Sequence, residues 1–214
     1  PGIRTAAGAF FDIKVIGKGG HGAFPQFAID PITIAAEIIG AIQTIISRTT
    51  SPNDSAVLSI TKVHAGDAYN VIPESATLSG TVRTFAIDKM QEIERQMISI
   101  SEGISKAHGG TALVEFNTLF LPVLNEEEAT DLATEVCRDM VGQDNVTTTG
   151  SAGTGSEDFS FMSNEVPGCY VIIGNGEDSN ALHNPNFDFN DEALVYGGSF
   201  FARVIEKELA LDQV

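Results

Sequence analysis

Four histidines and a few charged side chains in glycine- or asparagine-rich runs are the residues of this chain best suited to acid–base work or metal ligation. His183 stands in Leu182-His-Asn-Pro-Asn-Phe-Asp-Phe-Asn-Asp191, a turn-forming run after a short apolar segment that reads as a buried strand. Ligands bind at the carboxyl ends of α/β strands, and a neutral imidazole there is a metal ligand; a loop histidine bonded to backbone is the plainer reading. His21 lies in Gly17-Lys-Gly-Gly-His-Gly-Ala-Phe-Pro25, where small neighbours leave the ring accessible to a ligand. It could polarise a carbonyl or stabilise an oxyanion, or simply occupy a turn after an edge strand.

Arg83 falls in an alternating strand among Thr and Gly, expected opposite a loop ending Asn70-Val-Ile-Pro. A guanidinium there can grip a carboxylate as a bidentate fork, or serve in a surface ion pair. Glu157 and Asp158 follow Gly153-Thr-Gly-Ser156 and could orient a ligand histidine or act as a base; the alternative is that they cap a helix starting near Phe159. His64 and His108 lie at a strand end and a helix C-terminus, where no catalytic role is needed. Neither serine-containing glycine run has the G-x-S-x-G spacing, and Gly-Lys-Gly-Gly lacks the P-loop spacing, so a serine hydrolase and a P-loop nucleotide site are unsupported.

These residues need elements to hold them. Apolar alternation predicts strands over 10–16, 55–64, 76–85 and 111–117. Asp30-Pro31 followed by Ile34, Ile38, Ile42 and Ile45 predicts a helix over 31–48, and Met90, Ile93, Met97, Ile100 and Ile104 predict another from Asp88 to the His108-Gly-Gly stop. The order β-α-β-β-α-β is the split βαβ of ferredoxin-like domains. Beyond a boundary near Leu119 the pattern becomes α/β: an acidic helix over 126–141, a loop over 147–155, a buried strand over 169–174 and a helix over 191–208.

With 29 acidic and 12 basic residues the formal charge is -17, which excludes nucleic-acid binding through a general basic surface. The longest apolar segment, residues 32–46, is interrupted by Thr33, Glu37, Gln43 and Thr44, so no membrane span is expected. Cys137 and Cys169 show no metal-ligand spacing and cannot form a disulfide framework, and a reduced, cytoplasmic setting is expected. The chain opens Pro-Gly-Ile-Arg-Thr, with neither an initiating Met nor a secretory leader.

Taken in order, the Gly17–Pro25 run, Gly66-Asp-Ala-Tyr-Asn-Val-Ile-Pro-Glu74, Gly80-Thr-Val-Arg-Thr84, Gly155-Ser-Glu-Asp-Phe159 and Leu182–Asp191 resemble the later part of the hippurate hydrolase and aminoacylase family. These are metal-dependent amidohydrolases and peptidases that also include auxin-conjugate hydrolases. The resemblance implies a ferredoxin-like lid and dimerisation domain over 9–118, with 1–8 and 119–214 forming the end of the catalytic domain. It implies that His183 binds metal and that His21 reaches across a homodimer to the scissile carbonyl. Asn70, Arg83 and Gly155 would hold the substrate, while Glu157 and Asp158 would shape the site from behind.

Two divalent ions (zinc, manganese, cobalt or nickel) are implied for the complete enzyme. The family's other ligands and its general base precede the Gly-Lys-Gly-Gly-His motif and are not found here, so the expectation is a C-terminal portion, inactive alone, that offers one ligand. The substrate would be an N-acyl amino acid or small peptide. The competing expectation is a non-catalytic dimerisation or small-molecule-binding module.

Overall fold

Local sequence signals become elements in this order: β1 (Gly2–Thr5), β2 (Ala7–Ile16), β3 (Gly20–His21), α1 (Pro31–Thr44), β4 (Ala56–Ala65), β5 (Val71–Ile72), β6 (Ser75–Thr84), α2 (Ile87–Ala107), β7 (Thr111–Phe120), β8 (Val123–Asn125), α3 (Glu127–Val141), α4 (Phe159–Ser163) and α5 (Ala193–Glu208). The computed structural model describes residues 1–209. They fall into two compact units, one comprising 3–123 and 152–164, the other comprising 1–2, 124–151 and the chain from Glu165 onward.

The first unit is built on a four-stranded sheet of order β4-β6-β2-β7, antiparallel throughout. Strict alternation on β6 buries Ala76, Leu78, Gly80, Val82 and Thr84 and leaves the residues between them half-buried. Against that buried face pack α1 through Ile34, Ile38 and Ile42 and α2 through Met90, Ile93 and Met97, meeting Phe11, Ile13 and Val15 of β2. Each such side chain contributes about 1.5–3 kcal/mol on leaving water, so this core is the main source of the unit's stability.

Asp30 starts α1 as read from sequence. Its Oδ1 accepts from the Ile32 N–H at 2.9 Å, and Pro31 fills the first turn. The helix continues past Thr44 as a π-type turn over Ile45–Thr49. By length and composition alone Pro31–Thr49 could cross a membrane. Its isoleucine face is instead committed to the sheet, with Ile34, Ile38, Ile42 and Ile45 almost fully buried. Gly80 is required by packing, since a Cβ there would fall 2.1 Å from the Ser59 carbonyl oxygen and 2.4 Å from the Phe11 ring.

The second unit holds α3 and α5, joined by the ion pair of Lys207 with Glu135. Glu126 caps α3, its Oε2 accepting from the Ala129 N–H at 2.8 Å. That carboxyl is held below its ordinary value, first by the Ala129 N–H and then by that of Glu128. Residues 169–174 are not the buried strand that the sequence suggests. They form no ladder, and Ile172 and Ile173 are exposed, because β8, which reaches this segment at Asn125 beside Tyr170, ends there and gives way to α3. The buried amide of Asn125 substitutes at one point: Oδ1 accepts from Tyr170 N at 2.8 Å and Nδ2 donates to Tyr170 O at 3.0 Å.

Candidate active site

His21 owes its place to the short β3–β5 pairing, in which it faces Val71 while the Gly22 N–H donates to Asn70 O at 2.8 Å. His21 and Asn70 are thereby brought together. A Cβ at Gly22 would sit 3.2 Å from the same Asn70 oxygen, so the glycine permits this approach. The Ala23 N–H donates to His21 Nδ1 at 3.1 Å. An Nδ1 that accepts leaves Nε2 as the protonated nitrogen of the neutral ring, a donor suited to a carbonyl oxygen. The ring is exposed and stands 5.4 Å, centroid to centroid, from that of Phe24.

Arg83 lies near the far end of β6, opposite Gly8 on one side and Val57 on the other, and not opposite the Asn70 loop. Strand register decides this, since the loop over 70–73 adjoins the start of β6 and Arg83 belongs to its end. The guanidinium lies 5.8 Å from the centre of the Phe10 ring, and Nη1 donates to Thr81 Oγ1 and to Val82 O. The surface ion pair is not found, for among the described residues no carboxylate pairs with Arg83. The loop carrying Gly155 comes to the same end of the sheet, where Gly155 O accepts from Ala6 N at 2.9 Å. Arg83 and Gly155 are thus gathered at one end and His21 and Asn70 at the other. Between them lies β6 from Ser75 to Arg83, roughly 25 Å of extended chain at about 3.3 Å per residue.

Glu157 and Asp158 precede α4, which begins at Phe159 as expected, yet neither carboxylate caps it. The turn is closed by backbone bonds, Ser160 N to Glu157 O at 3.2 Å and Phe161 N to Asp158 O at 3.0 Å. His108 has a structural partner, Nε2 lying 2.8 Å from Glu37 Oε2 and tying α2 to α1.

His183 belongs to the other unit, in a loop stitched by asparagine amides. Asn175 Nδ2 donates to Asp188 O at 2.7 Å, and Asn180 Nδ2 donates to Asn186 O at 2.9 Å. It is the one described non-glycine residue with positive φ, at 67°, and it is exposed. No group of three His, Cys, Asp or Glu side chains able to hold a metal occurs among the described residues. The donor set present therefore does not fit a two-ion centre, and His183 stands as a single ligand at most.

Sequence reasoning passed over three residues that organise these places. Asn125 holds 169–170, and Gly8 with Ser156 frames Arg83: a Cβ at Gly8 would meet Ser156 Oγ at 2.7 Å and Arg83 Cζ at 3.4 Å. Nothing local announces them, because each acts through a partner distant in sequence.

Residues 9–207 match the model of peptidase family M20/M25/M40. The chain is 35% identical over 208 residues to hippurate hydrolase of Campylobacter jejuni, covering 97% of this chain and 54% of that protein. To N-acetylcysteine deacetylase of Bacillus subtilis it is 35% identical over 195 residues, 91% of this chain and 50% of the relative. Among solved structures it resembles a dinuclear metal binding peptidase of the M20 family from Bacillus subtilis. There the TM-score is 0.74 at 30% identity, covering 95% of this chain and 50% of that one. A solved structure from methicillin resistant Staphylococcus aureus gives a TM-score of 0.80 at 25% identity, over 97% of this chain and 54% of that one. The chain spans about half the length of the curated relatives it matches. With nearly its whole length matched by one family model, the chain belongs to peptidase family M20/M25/M40.

Proposed function

We propose that this chain serves in metal-dependent hydrolysis of the amide bond of N-acyl amino acids or small peptides, through a site completed by two copies of the chain. The separation of Arg83 and Gly155 from His21 and Asn70 by the length of one sheet carries this reading. No small substrate spans that distance, so its carboxylate and its scissile carbonyl meet both groups only if they come from different copies. The relatives' names support the substrate class, since hippurate and N-acetylcysteine each join an amide to a free carboxylate.

In this reading the sheet with its two helices is a ferredoxin-like lid and dimerisation domain over 9–118. The order β4-β6-β2-β7 is that of the split βαβ and supports it. Residues 1–8 and 119–214 belong to the catalytic domain. Arg83 presents a guanidinium unpaired with any described carboxylate and grips the substrate carboxylate as a fork, with Gly155 alongside. Asn70 of the second copy donates its amide, and His21 Nε2–H donates to the carbonyl oxygen as negative charge develops there. Glu157 and Asp158 support the Gly155 loop from behind. Two divalent ions serve the complete site, with His183 the one ligand from this chain. The family resemblance assigns the other ligands and the general base to segments that this chain does not carry, and the chain is accordingly expected to be inactive alone. Two free cysteines accord with a reduced, cytoplasmic setting.

The test is calorimetric titration of the purified chain with hippurate and with its methyl ester, alongside a hydrolysis assay with added manganese, cobalt or zinc. Hippurate is expected to bind, the ester to bind at least tenfold more weakly for want of a charge-assisted fork, and neither to be hydrolysed. Equal binding of acid and ester would contradict the role of Arg83. Turnover by the pure chain would contradict its proposed inactivity alone.

A further inference from the structure

Arg83 carries five guanidinium N–H donors, and the sheet accounts for part of them. Nη1 gives one bond to Thr81 Oγ1 and one to Val82 O. A carboxylate gripped as a fork takes two more, from the Nε and Nη2 edge. One N–H is left over. Near the same guanidinium stands a hydroxyl with a complementary deficit, because Ser156 Oγ is buried and has no hydrogen-bond partner among the described residues. The two converge over Gly8, the cross-strand neighbour of Arg83. A Cβ there would sit 2.7 Å from Ser156 Oγ and 3.4 Å from Arg83 Cζ and Nη1. A side chain at position 8 would displace the Ser156 hydroxyl, whereas the guanidinium could keep its place against it.

We propose that Ser156, seated over Gly8, is a positioning residue for Arg83: its hydroxyl accepts the guanidinium N–H that neither the sheet nor the substrate carboxylate takes, and so fixes the plane of the fork. The inference rests on the carboxylate-binding role of Arg83 proposed above. It assigns Ser156 no contact with substrate. A buried hydroxyl without a partner in the free chain gains one when the fork is set, so its orientation is coupled to ligand binding.

The experiment is an NMR titration of the 15N-labelled chain with hippurate, following the Arg83 Nε–H resonance in the wild type and in Ser156→Ala and Ser156→Thr, with binding also measured for Arg83→Lys and the Ser156→Ala/Arg83→Lys double variant. Thermal unfolding is measured in parallel. Ser156→Ala is expected to weaken hippurate binding about fivefold to tenfold while leaving the melting temperature unchanged or raised, since it removes an unsatisfied buried group. Ser156→Thr is expected to retain affinity, and the serine substitution to have no further effect in the Arg83→Lys background. If Arg83→Lys binds like the wild type, or Nε–H does not respond to hippurate, the reading of Arg83 fails and this proposal with it. If Arg83→Lys weakens binding but Ser156→Ala does not, or if Ser156→Ala costs as much in the Arg83→Lys background as in the wild type, the role of Ser156 alone is overturned.

Discussion

Arg83 and His21 stand at opposite ends of one antiparallel sheet. Arg83 pairs with Gly8 at the start of β2, and His21 pairs with Val71 in the small ladder beyond the other end of that strand. Both are offered for chemistry, the guanidinium by lacking a carboxylate partner among the described residues, the imidazole by using Nδ1 to accept from Ala23. In the function proposed above, a pair so placed serves one small substrate only when two copies meet.

Gly80 and Gly40 should respond to alanine with opposite signs. At Gly80 the new Cβ meets the Ser59 carbonyl at 2.1 Å and the Phe11 ring at 2.4 Å, backbone and packed core that cannot yield cheaply. Gly80→Ala is expected to cost about 3 kcal/mol or more. Gly40 is exposed within α1 with nothing within 4 Å of its Cβ position, so Gly40→Ala should gain about 0.5–1 kcal/mol. Urea unfolding midpoints measure both, and a destabilised Gly40→Ala with a tolerated Gly80→Ala would contradict the packing described.

Acid should loosen the start of α3. The Glu126 carboxyl is held below its ordinary value of 4.5 by the Ala129 N–H and then the Glu128 N–H. The unfolded chain therefore takes up this proton before the folded chain does. The cap's contribution is complete above that ordinary value, shrinks as pH falls below it, and is gone once the lower folded value is passed. The Ala129 amide proton shift, followed by NMR through this range, should report a midpoint below 4.5. In Glu126→Gln this titration should vanish.

Replacing Asn125 by Ala removes the two hydrogen bonds that its amide makes to the main chain of Tyr170, at 2.8 and 3.0 Å. The expected loss is about 2–3 kcal/mol. Amide hydrogen exchange should show Tyr170 losing protection while Ile38 in α1 keeps it, and unchanged exchange at Tyr170 would show that Asn125 does not hold this segment.

The helices of the first unit were legible because their signals are local. Asp30-Pro31 and the isoleucines after it suffice to start α1 and to choose its buried face, and alternation does the same for β6. What local pattern cannot carry is register, which put Arg83 opposite Gly8 and away from Asn70. Residues 169–174 show a related limit. An apolar run bounded by turns marks a segment able to be a strand, but a strand also needs a neighbour that runs on beside it, and the chain beside Tyr170 turns into α3 after Asn125. Of the candidate site residues, the types and local elements of His21, Arg83 and His183 were evident from sequence, whereas Gly8, Ser156 and Asn125 matter only through long-range partners.

The shared site is tested most directly by mixing copies. Arg83→Lys and Asn70→Ala chains, each expected to bind hippurate at least tenfold more weakly than wild type, are unfolded together, refolded at equal concentrations and titrated calorimetrically. If Arg83 of one copy and Asn70 of another build one site, random pairing restores wild-type affinity at about a quarter of the sites. A mixture that binds no better than the average of the two variants, or a wild-type chain that stays monomeric while binding hippurate, would contradict the account.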